Sequence, residues 1–398
     1  MNRIAFYLHN PSMPNIDYSG VLQSNPGIPG SEYEFLLVSY LLDIRDNNID
    51  SYLFVDFDGQ FPHTHCLKTI DLQDCCQQCE RMHIDRLIID IKYLDFKVLD
   101  QFADKICIYV WAHNQPSTQL LNILWHKSYI SKIINVGYGE MQTYQRHPAY
   151  LKSTYIYNIF PFQKIDYYTK QIHFDDNHNV VYMGSLQPAK GFHILAYHWI
   201  EVLRAVPDAQ LYVIGSGKLY DRNAVLGHYG IAQKDYENSF MKYLTDSNGN
   251  ILPSVHFLGL LADEKYEILG KCKVAVPNPT GIETFCITAI EMQMCGCNIT
   301  TKDAFAYRDT IANKSYLFKQ ESELSAYIIK RLMDKRDSYE SIYQYITSKF
   351  GVEGNIQRWE KELKCTKYTS DFFVVMAYEL RWFLYRVYCW TLRKIFKK

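Results

Sequence analysis

Short apolar runs of strand length alternate with segments of helical period along almost the whole 398-residue chain, and this alternation limits the fold more than any other feature. Strand-like runs fall at 4–8, 52–55, 86–91, 106–111, 133–136 and 154–157, with helix-period segments such as 32–46 and 117–125 between them. After a polar stretch at 173–179 (HFDDNHN) the pattern restarts, with strands at 180–183, 210–214, 255–258 and 274–276 and helices at 190–205, 262–270, 285–294 and 321–335. Two successive series of this kind imply two doubly wound α/β domains, with a boundary near residues 165–178. The length agrees, since 398 residues exceed one ordinary core. No solenoid-period repeat and no low-complexity segment competes with this reading.

Composition narrows the class. Hydrophobic residues make up 48% and charged residues 21%, the balance of a folded chain. Lys and Arg number 42 against 43 Asp and Glu, so no global field favours nucleic acid. The eleven cysteines are odd in number and scattered. The first ten residues read as a strand and not as a secretory signal, so reduced thiols in a cytoplasmic protein are expected. No uncharged apolar run reaches the ~18 residues of a spanning helix; the nearest, close to the C-terminus, is interrupted by Glu379 and Arg381. The excess of Tyr, 33 residues, is read as codon bias.

In open α/β sheets ligands bind at the carboxyl ends of the strands, so the strand-to-helix junctions are the places to look for chemistry. The first is the run from Val180 to Phe192, VVYMGSLQPAKGF. Gly184 would let a ligand approach the backbone, and Lys190 would offer a point charge to a diphosphate. The second is a strand ending in Gly215-Ser216-Gly217, equally readable as a structural turn or a ligand contact. The third runs from Val274 to Glu291, VAVPNPTGIETFCITAIE. A helix is expected to start near Phe285, which would make the amides of Thr284, Phe285 and Cys286 an anion site. Glu291 would lie about 7–8 Å along the axis, suited to a ribose attached to a phosphate at the helix start. Glu283 would meet the group at the far end of that phosphate. The alternative is a capping Glu and a solvated helix-face Glu. The spacing does not suggest a glycosidase acid/base pair, because the two carboxylates would flank a phosphate and not one scissile oxygen.

Taken in order, VVYMGSLQPAKGF, the segment Trp199 to Gly217, VHFLGLLADEKYEIL and the paired Glu283 and Glu291 resemble the donor domain of the retaining GT-B glycosyltransferases of family four, of the bacterial surface-polysaccharide type. The resemblance implies two Rossmann-like domains facing across a cleft: 1–168 on the acceptor side, 178–350 for the nucleotide-sugar donor, and a crossover helix at 351–369. It implies a hexosyltransferase, retaining and metal-independent, that needs no cofactor and takes a UDP- or GDP-linked sugar as substrate. Gly184, Ser185, Lys190, Thr284, Phe285, Cys286 and Glu291 would hold the donor, with Glu283 and Lys190 acting at the transferred sugar and the diphosphate. In the N-terminal half, NPGIPGSE is similar to the family's Gly-rich loop, which assigns Gly30 and Glu32 to the phosphate and acceptor end. YVWAHN resembles the segment whose His contacts the donor sugar, a role carried to His113; the alternative is a buried structural His. Two departures stand out. Ser185 occupies a position where the family usually has Arg, with Lys218 a possible substitute, and Cys286 stands where Gly is common. The competing classes are a non-catalytic nucleotide-sugar-binding scaffold and a GT-B phosphorylase, though no Lys context for the latter's pyridoxal phosphate is evident.

Two other clusters are set aside. Asp56-Phe57-Asp58 has a metal-binding spacing but lies far from the donor motifs. Cys75, Cys76, Cys79 and His83, with His63, His65 and Cys66 upstream, have zinc-ligand types but share what reads as one helix, 72–83, so a packed cysteine face is expected. The tail, 370–398, is aromatic and basic: six cations against one anion from Glu379 to Lys398. Arg386, Arg393, Lys394 and Lys397 are expected on one face, with Leu384, Tyr385, Tyr388, Leu392, Ile395 and Phe396 mostly opposite. That is the pattern of an interfacial helix on an anionic membrane, which implies peripheral attachment to the cytoplasmic face and a glycan or lipid-linked acceptor. The alternative is a helix packed on protein.

Overall fold

Seven parallel strands form the first sheet: β1 (Asn2–Leu8), β2 (Ile49–Val55), β3 (Cys66–Lys68), β4 (Arg86–Asp90), β5 (Cys107–Ala112), β6 (Ile130–Asn135) and β7 (Ser153–Tyr155). Their order is β3-β2-β1-β4-β5-β6-β7. The structure is a computed structural model that describes residues 2–10, 15–23, 25–26, 28–45, 49–169, 177–219, 223–364 and 368–395. The central strands carry apolar residues on both faces, as in Ile4, Ala5 and Phe6, because helices cover both sides of a parallel sheet. Helix α1 (Gly30–Asp43) follows β1. Helix α2 (Leu72–Arg81) is capped by Asp71, whose side chain accepts from the Asp74 N–H. Helix α3 (Thr118–His126) is capped by Ser117, which accepts from the Leu120 N–H.

A second sheet has β8 (Asn179–Met183), β9 (Gln210–Ile214), β10 (Val255–Gly259), β11 (Val274–Ala275) and β12 (Asn298–Ile299), all parallel in the order β10-β9-β8-β11-β12. Helices α4 (Phe192–Ala205), α5 (Glu264–Gly270), α6 (Ile287–Met294) and α7 (Tyr339–Phe350) accompany it. Both sheets have the doubly wound strand order, with the switch point between β1 and β4 in the first and between β8 and β11 in the second.

The chain divides into two units, 1–159 together with 352–398, and 160–351. The helix Gln163–Thr169 therefore belongs to the second unit, and the boundary lies before the expected 165–178, where residues 170–176 are outside the described set. Helix α8 (Val352–Glu362) belongs to the first unit. Its Trp359 is fully buried, 4.5 Å in ring centroid from Trp111 and 6.2 Å from Phe6. Arg86 Nη1 donates to the Leu363 carbonyl at 2.8 Å and ties the end of that segment to the sheet.

Cys75, Cys76 and Cys79 point into the core of the first unit, and burial pushes the Cys76 thiol up to about 12. The expected helix stops at Arg81, and His83 beyond it has a φ of 56°. Among the described residues no group of three or more potential ligands is placed to hold a metal. Asp56 accepts from Tyr7 Oη at 2.9 Å and pairs with His9, while Asp58 pairs with Lys68, so the two carboxylates serve different partners.

The tail forms one long helix, α9 (Phe372–Ile395), within the first unit. Trp125 Nε1 donates to Glu379 at 2.5 Å, the Trp382 ring lies 4.6 Å from His147, Tyr378 stacks on Tyr150, and the Arg146 guanidinium sits 4.9 Å from the Tyr385 ring. Tyr385 was expected on the outer apolar face and instead packs inward. At about 100° per residue, Tyr378, Trp382 and Tyr385 share one strip, and that strip touches the body. The outer face is carried by other residues: Phe373 is 78% exposed, Leu380 and Phe383 60% each. Phe396 and Lys397 lie outside the described residues. No described helix is long and apolar enough to cross a membrane.

Candidate functional site

The loops after β8 and β11 meet at the switch point of the second unit. The Gly184 N–H donates to the Ile214 carbonyl at 3.0 Å, so that amide is committed to the strand ends. Gly215 has a φ of 140°, and a Cβ there would lie 1.8 Å from the Gly184 carbonyl oxygen. The second junction's glycine thus serves a close backbone approach that no side chain permits. Ser185 is buried, and its hydroxyl has no hydrogen-bond partner among the described residues. It supplies no charge where the resembled family has Arg.

Beyond Ser185 a 3₁₀ turn, Pro188–Lys190, delivers Lys190. Gly191, with a φ of 70°, lets this turn settle on the second loop, since a Cβ there would meet Thr280 Cγ2 at 2.7 Å. Thr280 Oγ1 donates to the Ala189 carbonyl at 3.0 Å, and Asn278 Nδ2 reaches the same carbonyl at 3.2 Å. This packing brings Lys190 Nζ to 2.6 Å from Glu283 Oε1, which also accepts from Asn278 Nδ2 at 2.9 Å. Two residues 93 apart in sequence become an ion pair with both side chains partly exposed.

The helix start differs from expectation. Cys286 occupies the left-handed region at φ 69°, ψ 74°, so the helical path begins only with Ile287. Thr284, Phe285 and Cys286 therefore precede the first turn instead of forming it. Phe285 is buried against Phe350 at 5.2 Å. Burial and the Glu283 charge push the Cys286 thiol up to about 11, so it stays protonated. The Cys286 departure from Gly falls at a left-handed position of this loop, where a side chain costs backbone strain.

Glu291 is 8% exposed and not a solvated helix-face residue. Lys265 Nζ lies 2.6 Å from its Oε1, and Tyr266 Oη donates to the same oxygen at 3.4 Å. Burial first, then the Glu291 charge, pushes the Tyr266 hydroxyl up, so it remains a donor. Lys265 was not singled out from sequence. It sits in the first turn of α5, amid DEKYE, where a charge reads as an ordinary solvated one. Lys218 is exposed, and its backbone N–H donates to Ser216 Oγ.

The switch point of the first unit holds a second cluster. Gly30 is the first residue of α1, and Glu32 in its first turn pairs with Lys92 Nζ at 2.7 Å. Ser31 Oγ donates to Glu32 at 2.6 Å and accepts from Lys92 at 3.1 Å. Asp90, the last residue of β4, accepts the Lys92 N–H at 2.9 Å and holds His113 Nδ1 at 2.9 Å. Burial opposes the Lys92 charge, but Asp90 and Glu32 more than offset it and raise its affinity for the proton. His113 is buried, 4.5 Å in ring centroid from Trp111. Asp90 and Lys92 were not singled out from sequence, although Asp90 stands at the carboxyl end of a strand, where such groups gather.

Chemically, the second unit offers two ammonium groups, each paired with a carboxylate: Lys190 with Glu283 between the loops after β8 and β11, and Lys265 with Glu291 between α5 and α6. Such a set can meet phosphate oxygens with its cations and sugar hydroxyls with its carboxylates. Residues 165–349 match the family model described as glycosyl transferases group 1. No curated protein matches the chain. Among solved structures, Anabaena Alr3699/HepE in complex with UDP and glucose is 18% identical, with a TM-score of 0.62 over 92% of this chain and 100% of that one. Sucrose-phosphate synthase from Thermosynechococcus elongatus is 13% identical, with a TM-score of 0.63 over 91% and 98%. The pneumococcal O-GlcNAc transferase GtfA, in complex with UDP and GlcNAc, is 13% identical, with a TM-score of 0.52 over 73% and 60%. The fold is that of the GT-B glycosyltransferases.

Proposed function

We propose that this chain is a retaining, metal-independent hexosyltransferase that moves a sugar from a nucleotide-diphosphate donor to a glycan or lipid-linked acceptor in surface-polysaccharide assembly. The observation that carries the reading is the pairing of Lys190 with Glu283 across the loops of one switch point and of Lys265 with Glu291 between α5 and α6, both inside the segment that matches the group 1 family model. The UDP named in solved structures of the same fold belongs to those proteins and favours a nucleotide-linked donor here.

In the proposed reaction the bond between the anomeric carbon and the diphosphate breaks first. The carbon becomes oxocarbenium-like and negative charge collects on the leaving diphosphate. Lys190, partly shielded from water, is assigned the stabilisation of that charge. Glu283 holds a hydroxyl of the transferred sugar and Glu291 the ribose. His113 takes the sugar contact that the resemblance implies, with Asp90 fixing its ring and tautomer. The acceptor hydroxyl enters on the face the diphosphate leaves and passes its proton to a diphosphate oxygen, so configuration is retained without a protein nucleophile. The outer face of α9 is assigned to the cytoplasmic surface of a membrane.

The test is a panel of nucleotide sugars with release of nucleoside diphosphate as the signal. Lys190→Ala is expected to cost about 10²–10³ in turnover, the scale of losing one preorganised charge-stabilising donor, and Glu291→Ala to raise KM for the donor. Turnover in EDTA is expected to stay at the untreated value. Full activity in Lys190→Ala with an unchanged melting temperature overturns the assignment. The buried, uncharged Ser185 favours one competitor, a binder without turnover, which donor binding without diphosphate release would reveal.

A further inference from the structure

A cavity of about 280 Å³ lies between the inner strip of α9 and the body of the first unit, and none of Glu32, Asp90, Lys92 or His113 lines it. It has room for roughly nine waters at about 30 Å³ each, the scale of a headgroup and not of a nucleotide sugar. Its walls include Thr118, Gln145, Arg146 and His147 from the body and Trp382 and Tyr385 from α9, with no carboxylate among the lining residues. His147 is neutral: Nε2 is bonded to Asn122 Oδ1 at 2.9 Å, Nδ1 accepts the Ala149 N–H at 3.0 Å, and burial pushes its pKa down to about 4. Arg146 is therefore the one fixed charge among the described lining residues. Trp382 Nε1 is buried with no hydrogen-bond partner among the described residues. Thr118 opens α3, whose N-terminal turn adds a positive partial charge.

Around the axis of α9 the residues sort into three bands at about 100° per residue. The inner strip of Tyr378, Trp382 and Tyr385 packs on the body. Arg381 lies on one flank and Arg386 and Arg393 on the other. Leu380, Phe383 and Val387 face away from the body, exposed. Arginines along the equator and, below them, an apolar band that ends in the exposed Lys394 suit a helix lying in an anionic interface, with headgroups at the level of the arginines and of the cavity.

We propose that this cavity binds the phosphate of an anionic membrane lipid, held by Arg146 and Trp382 Nε1, while the outer face of α9 enters the acyl layer. The inference rests on the membrane reading of α9 given above and adds a headgroup subsite to it. The guanidinium and the indole N–H donate to phosphate oxygens, and the acyl chains stay with the bilayer.

The test uses the full chain and flotation on vesicles of phosphatidylcholine alone or with phosphatidylglycerol. The wild type is expected to prefer the anionic vesicles. Arg146→Gln and Trp382→Phe should each cut that preference at least tenfold. Arg393→Gln, which removes one charge outside the cavity, should cut it about fivefold or less. Equal losses in Arg146→Gln and Arg393→Gln, or an unchanged preference in Trp382→Phe at an unchanged melting temperature, overturn the cavity while leaving the membrane reading intact. No binding of the wild type to either vesicle overturns the membrane reading and the lipid source with it. Calorimetry with glycerol phosphate separates the free anion: binding that Arg146→Gln abolishes, alongside a vesicle preference that Arg146→Gln leaves unchanged, also overturns the lipid source.

Discussion

At the scale of single residues, the informative positions are those where local rules are broken. Cys286 holds a left-handed backbone that glycine adopts without penalty. Cys286→Gly gains about 1 kcal/mol from relieved strain and loses a small buried side chain, so its stability by urea unfolding should stay within about 1 kcal/mol of wild type. Cys286→Val adds a methyl group's bulk and puts a β-branched residue in that conformation, and should cost at least about 2 kcal/mol. Glu34 is a second such position. It is fully buried in α1, accepts the Ile159 N–H at 2.9 Å, and burial raises its pKa well above the ordinary value. The folded state keeps the proton that the unfolded chain gives up near pH 4.5. This group's contribution is therefore fully present below that pH and is lost as pH rises toward the folded pKa. Glu34→Gln mimics the protonated acid. It should match wild type near pH 4 and become progressively more stable than wild type from pH 5 to 8, as melting curves across that range would show. A gain independent of pH would refute the account.

At the scale of elements, strand and helix existence was legible because the periodicity of apolar residues records which faces are buried. Boundaries were less legible where one backbone conformation decided them. The helix expected from 285 begins at Ile287 because Cys286 turns the chain out of the helical path. The tail shows the limit of reading a single helix. Its cations and aromatics pointed to an amphipathic element, yet the wheel alone does not say which aromatic stripe meets the protein. Trp382 and Tyr385 were claimed by His147 and Arg146, leaving Leu380 and Phe383 outside. Replacing both with Asp changes only exposed positions. The double variant should melt within about 2 °C of wild type, as surface substitutions do, and should no longer float with vesicles of either composition. Retained flotation would assign that face to another role.

At the scale of the whole molecule, the same strand order appears in both units, and each places its charged cluster at its own switch point. Donor binding is assigned to the second unit, which gives a thermal test independent of turnover. UDP or GDP, whichever binds, should at 100 times its Kd stabilise the chain by about 2.7 kcal/mol, or roughly 5–10 °C for a unit of this size. Lys190→Ala should remove most of that shift while leaving the unliganded melting temperature in place. An undiminished shift would move the diphosphate away from Lys190.

The sequence by itself determined the alternation of strands and helices, the two series, the junctions that would carry chemistry and the residue types in them. Those are local properties: a strand's composition reflects burial on both faces, and a turn's glycine reflects its own φ. Only the tertiary structure decided the partnerships. Lys190 meets Glu283 because Gly191 lets one loop rest on another 90 residues away, and Glu291 meets Lys265 because α5 and α6 are neighbours in space. Asp90 reaches His113 because β4 and β5 pair in register, Asp90 opposite Trp111. Contacts of this kind follow from topology, and a linear pattern holds no record of which charge will find which.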